Sequence, residues 1–411
     1  MHEKRLDIQG LRGWAVTSVV LFHFFPDYFP NGYIGVDMFF VISGFLMSMI
    51  LRRTKDLNFE SLCIFYYRRT KRIMPLYYLA INCILVSLFL LLPTSFRETN
   101  IQSSGRAILL ITNIKKVDPA QSYSKMLSNA EDLFTHTWSL CVEMQWYLLV
   151  PIIFLGQRFM TRWEKTFFIS IATCSIVYYF VVNDMSSFYS VFARIWQFSC
   201  GIIAHIAHPG KKIGETTCHK GSTLIEPEDC IAKKQILAWD DVRSMTSLCI
   251  FSLAVLLPFL PIQLPADCVR IYVTGFSALL IVSGNYHQTF LLLNSISIYV
   301  GNISYALYLF HWPVYVIVKH YSAELPHALL LGLLFSITLA AAAYHFFETY
   351  YLTWPAYVVW PVLILLGVSC AVFVLQPQNV EEQNFPSGSV DYTKINPLDA
   401  AWNMSGFHLF V

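Results

Sequence analysis

The sequence predicts an all-α integral membrane protein: a polytopic bundle of about ten or eleven transmembrane helices with an internal polar cavity. Three observations point there. Of the 411 residues, 56% are hydrophobic and only 13% charged, about half the charged share of a soluble domain. Apolar stretches long enough to cross a bilayer recur along almost the whole length. Several of them carry isolated ionisable residues or Gly and Pro breaks, which suits helices lining a cavity more than simple anchors.

In chain order the spans are expected near 11–26, 34–51, 73–93, 138–156, 166–183, 188–207, 245–261, 268–284, 297–318, 327–347 and 356–375. Basic residues set the orientation. Arg52, Arg53 and Lys55, then Arg68, Arg69, Lys71 and Arg72, fall between the second and third spans; Arg158, Arg162 and Lys165 follow the fourth; Lys211, Lys212, Lys233 and Lys234 follow the sixth. All three loops share a side with the N-terminus, which is therefore expected in the cytosol. An odd count of spans puts the tail 376–411 outside it, where Asn403-Met404-Ser405 is open to glycosylation. Residues 1–375 thus read as a membrane domain, with 94–137 an extracytosolic loop and 208–243 a cytosolic one. The polar start MHEKRLDIQG runs straight into the first span without a cleavage site, so no cleavable signal peptide is expected.

The net charge of +2 gives no reason to expect nucleic acid as a partner. Most of the ten cysteines lie in apolar runs, where Cys behaves as a small hydrophobe. Cys218, His219 and Cys230 lack zinc-like spacing, and no metal is expected.

The chemistry-bearing residues begin on the first span. Arg12 and His23 are eleven residues apart, close to three turns, so they share a face with ~16 Å of rise between them. They look like two ends of one cavity; a snorkelling Arg and a structural His are the ordinary alternative. Gly32 and Gly35 flank Tyr33 and Ile34 in the turn that follows and permit tight backbone geometry beside the end of the first helix. Asp37 then enters an apolar run. It reads either as a helix cap or as a partner that orients His23 and makes it more basic.

The cluster Arg68, Arg69, Lys71 and Arg72 follows from the positive-inside rule, or else marks a phosphate site shared with Arg12. Ser139, Glu143 and Tyr147 succeed one another at one-turn spacing, and Glu143 is an acid inside a membrane helix. Arg194 has apolar neighbours on both sides and needs a partner, either Glu143 or a substrate. Ser304, Tyr308 and His311 share one face, and Pro313 kinks that helix and frees carbonyls. His345 and Glu348 share a face, read as interfacial.

Six stretches, in order, carry a resemblance to a known family: GLRGWAV with the Arg12–His23 pair, GYIGVDMFFVISGFL, YYRRTKRIMPLYY, HTWSLCVEMQWYLLVP, RIWQFSCG and GNISYALYLFHWPV. The chain resembles the acyltransferase-3 family of integral-membrane O-acyltransferases over nearly all of residues 5–350. The resemblance implies transfer of an acyl group, typically acetyl from acyl-CoA (acetyl-CoA), to a hydroxyl of a glycan or lipid acceptor across the membrane. It implies catalytic roles for His23, with Glu143 and His311 at recurrent polar positions, and donor binding by Arg12, Arg68, Arg69 and Arg72. Combined with the residue reading, Asp37 orients His23, which acts as general base or through an acyl-histidine. Gln197 stands where many relatives have Glu, which puts a role for that side chain in doubt. The branch it is most like is usually followed by an SGNH domain; no GDS block is present, so either the chain is a truncated form or the second half of the relay is a separate SGNH-type protein, a partner beside membrane lipid. A transporter of acyl donors, lipids or hydrophobic small molecules is the alternative function.

Overall fold

The computed structural model describes residues 5–54, 57–114, 132–182, 188–207, 255–283, 290–322 and 326–375, with helices and no strand among them. The expected loop 208–243 and tail 376–411, and most of the span expected at 245–261, lie outside the described residues. The helices are α1 (Leu6–Phe24), α2 (Gly35–Arg53), α3 (Phe59–Leu91), α4 (Arg97–Ile108), α5 (Trp138–Arg158) and α6 (Glu164–Val182). They continue with α7 (Ile195–Ala207), α8 (Ala266–Ser283), α9 (Ser295–Ser322), α10 (Pro326–Ala343) and α11 (Ala356–Leu375). Seven helical stretches among the described residues are long and apolar enough to cross a membrane. Helices α1 and α9 occupy two further expected spans. They fall outside that set because Arg12, His23, Asn302, Ser304 and His311 dilute their apolar content. The protein is an all-α, multi-pass integral membrane protein.

Two elements depart from expectation. The third span was expected to begin near residue 73, but α3 starts at Phe59, where Asn58 caps it by accepting from the Ser61 amide at 3.2 Å. Its 33 residues reach roughly 50 Å, so the basic cluster sits on a rigid helix rather than in a loop. Lys71 Nζ donates to the Trp354 carbonyl at 2.5 Å and the Tyr351 hydroxyl to the Arg72 carbonyl at 2.8 Å, fixing that end of α3. The second departure is α4, in a stretch read only as a polar loop. The Tyr77 hydroxyl donates to the Ala107 carbonyl at 2.8 Å, and Asn100 Oδ1 accepts the Leu133 amide at 2.8 Å, so α4 is stitched onto the bundle.

Small residues decide which helices meet. Helix α1 packs mainly on α9, and α2 on α7. A Cβ added at Gly301 would overlap the Gln9 carbonyl oxygen, and one at Gly13 the Ser297 carbonyl; Gly44 and Gly201 play the same part between α2 and α7. Close backbone approach through small residues is the way helices gain dispersion contact in lipid. Gly301→Val is therefore expected to cost at least the ~1–3 kcal/mol of ordinary overpacking. Thermal unfolding of the purified protein checks this, with Gly275→Val, where a Cβ meets open space, remaining near wild type.

Candidate active site

The contact between α1 and α9 brings His23 against His311, with Nδ1 of the former 2.9 Å from Nε2 of the latter. The tautomers follow from the next bond. His311 Nδ1 lies 3.0 Å from the Leu307 carbonyl, which only accepts, so Nδ1 carries the hydrogen. Neutral His311 then has a bare Nε2, which accepts from His23 Nδ1–H. The lone pair of His23 is left on Nε2, and His23 lines a pocket. A base whose far nitrogen is fixed by a partner is the arrangement general-base catalysis uses.

Pro313 explains a third histidine. With no N–H at 313, the Leu309 carbonyl loses its helical donor, and His136 Nε2 bonds to it at 3.1 Å. His136 leans on His311, ring centroids 5.8 Å apart, and its Nδ1 is buried without a partner. The described residues contain no group of His, Cys, Asp or Glu side chains placed to hold a metal ion.

Towards the N-terminal end of α1 lies a cavity of about 100 Å³, bordered by Arg12, Arg69 and Arg72 and by Ser139, Glu143 and Tyr147. The Tyr147 hydroxyl donates to Glu143 at 2.5 Å and accepts from Ser43 at 3.3 Å. Arg69 lies 5.9 Å from the Tyr147 ring centroid. Three guanidiniums meet the carboxylate of Glu143 and that of Glu348, which interacts with Arg72 and Arg12. The balance is one net positive charge, fit for phosphate oxygens. Arg68 is exposed and borders a neighbouring hollow with Arg69 and Thr54 instead.

A second, tighter pocket follows, bordered by His23, Tyr33, Asp37, His136, Arg194 and Arg270. Val36 and Tyr308 border both. The Tyr308 hydroxyl donates to the His136 carbonyl at 2.9 Å and also bonds Ser139 Oγ. The single cavity expected between Arg12 and His23 is thus two chambers with a pinned tyrosine between them.

The structure corrects the partner assigned to His23. Asp37 does not bond it; His311 does. Asp37, 3% exposed, instead lies 3.5 Å from Arg194 Nη1 and accepts from Gln197 Nε2 at 2.9 Å. Nor is it the N-cap of α2, a position Ile34 holds; Asp37 stands in the first turn. The cause is the α2–α7 contact at Gly44 and Gly201, which lays α7 along α2. It also gives Arg194 a different partner from Glu143 and Gln197 a structural role. Glu348 is buried in a π turn (Tyr344–Glu348), not interfacial, while His345 meets the Tyr299 hydroxyl at 3.2 Å. His136 and Arg270 were not picked out as site residues. A lone arginine in the apolar run VRIYV was the available signal for Arg270.

A buried polar seam runs through the multi-pass helical bundle, basic at one end and carrying a histidine pair at the other. The chain belongs to the acyltransferase-3 family: the family model, described as an acyltransferase domain, matches residues 5–375. O-acetyltransferase OatA of Staphylococcus aureus (strain NCTC 8325 / PS 47) is 27% identical over 364 residues, covering 83% of this chain and 56% of that protein. The putative O-acetyltransferase SACOL0978 of S. aureus (strain COL) is 24% identical over 363 residues, with the same shares. The chain thus spans little more than half the length of these relatives. No solved structure matches it.

Proposed function

We infer that this protein is a membrane O-acyltransferase that moves an acyl group, acetyl in the first instance, from cytosolic acyl-CoA to a hydroxyl of a carbohydrate or lipid acceptor on the other side. The observation that carries it is the sequence of chambers: an arginine-lined cavity, a tyrosine wall, then a second pocket lined by a histidine whose other nitrogen is held by His311. Arg12, Arg69 and Arg72 hold the donor's phosphates, with Arg68 outside the cavity contributing at the entrance. Glu143 holds Tyr147 beside Arg69 and offsets its charge.

His23 Nε2 takes the proton of the acceptor hydroxyl as its oxygen attacks the thioester carbonyl. The tetrahedral adduct collapses with cleavage of the C–S bond. The leaving thiolate takes the proton back from His23, giving the ester and free CoA. His311 keeps His23 in the tautomer this requires. The N-terminus faces the cytosol and the tail lies outside. The partners are membrane lipid, acyl-CoA and the acceptor, with a separate SGNH-type protein as a further relay.

The test is CoA release from acetyl-CoA by the purified protein in lipid, with a panel of glycan and lipid acceptors and isotopic acetyl traced into ester. Acceptor-dependent release is expected. Arg69→Gln is expected to raise the KM for acetyl-CoA roughly 10- to 100-fold, the worth of one charged hydrogen bond, with little change in kcat. Uptake of lipids or hydrophobic compounds with no CoA release would favour the transporter.

A further inference from the structure

The second pocket holds a positive charge that the histidine chemistry does not use. Arg270, on α8, is 5% exposed, yet its Nε and Nη1 are enclosed and have no hydrogen-bond partner. Its guanidinium lies 4.7 Å from the Phe188 ring centroid and 5.6 Å from that of Tyr33. Contacts of this kind use the face of the guanidinium and leave its N–H edge for a ligand in plane.

Arg194, beside it, is differently placed. Its Nε and Nη2 both donate to the Phe188 carbonyl at 3.0 Å, and its Nη1 faces Asp37. Asp37 is the only carboxylate among the residues bordering the pocket. Asp267, which also interacts with Arg270, is exposed and accepts from the Tyr179 hydroxyl at 2.5 Å. Asp37 is committed to Arg194 and Gln197 and Asp267 to Tyr179, so both act on Arg270 without a hydrogen bond, and a buried donor left without an acceptor is costly. A carboxylate meeting the N–H edge of Arg270 in bidentate fashion removes that cost.

We propose that Arg270 recognises a carboxylate on the acceptor, so that the hydroxyl compound taken at His23 is an acidic sugar. Arg270 and His23 border one pocket, so a carboxylate held by the first delivers a neighbouring hydroxyl to the second. The proposal rests on the acyl-transfer function above for what happens next, but not for the binding itself. The donor's phosphates have their own arginines in the other chamber.

The test is binding to the full chain in lipid nanodiscs, by titration calorimetry, with D-glucuronate and D-glucose as probes. The wild type is expected to bind glucuronate roughly 10- to 100-fold more tightly than glucose. Arg270→Gln is expected to reduce glucuronate to the level of glucose, with acetyl-CoA binding unchanged, and Arg270→Lys to keep part of the preference. Equal binding of the two sugars by the wild type, or binding of neither, overturns the proposal whether or not the variants fold. So does an undiminished preference in Arg270→Gln. Preferential glucuronate binding without CoA release supports the acid site and overturns acyl transfer. CoA release without preference for the acid overturns the acid site alone.

Discussion

Alanine at His23 is expected to eliminate acceptor-dependent CoA release while folding and acetyl-CoA binding persist. The side chain borders only the second pocket, so its loss leaves the arginine chamber intact. A positioned general base contributes typically 10²- to 10⁴-fold, and in the proposed reaction the same nitrogen returns the proton to the leaving thiolate. His311 separates a positioning role from a packing one. His311→Leu removes the acceptor for His23 Nδ1–H and is expected to lower kcat with the donor KM unchanged. His311→Gln supplies an amide oxygen in its place and is expected to recover part of the rate. Wild-type turnover in His23→Ala would sink the mechanism.

The second large effect concerns stability. Asp37→Ala leaves Arg194, which is 0% exposed, without its counter-charge. Breaking a buried ion pair from one side costs about 3–5 kcal/mol, so a sharp fall in Tm and in monodisperse yield is expected. Replacing both partners, as Asp37→Leu with Arg194→Met, should recover much of that loss, because the guanidinium that faced Asp37 goes with it. If Asp37→Ala instead melts like the wild type and loses only turnover, Asp37 belongs to the reaction rather than to the scaffold.

Much of this arrangement was legible in the chain. The Arg12–His23 spacing follows from helical periodicity alone, and both residues line chambers of one seam. Ser139, Glu143 and Tyr147 at one-turn intervals do border one cavity. Pro313 freeing a carbonyl was readable too, though not that His136 would take it. What the sequence could not supply were partners from distant helices. Asp37 precedes Arg194 and Gln197 by well over a hundred residues. Their meeting depends on Gly44 and Gly201 letting two backbones touch, a pairing that no local pattern encodes. For the same reason His311 was visible as a buried histidine but not as the partner of His23. The α-helical start at Phe59 was missed because hydropathy marks where a helix enters lipid, not where its hydrogen bonding begins.

Val36 and Tyr308, bordering both chambers, have an electrical consequence. A membrane holding a potential drives each elementary charge with about 2.3 kcal/mol per 100 mV, and a continuous wet channel lined by arginines would conduct anions down that gradient. With the seam divided, the proposed reaction needs only the uncharged thioester end of the donor to pass the tyrosine. In that proposed reaction the phosphates of the donor stay on one side and the acceptor on the other. The bundle would then export a chemical bond while remaining an insulator.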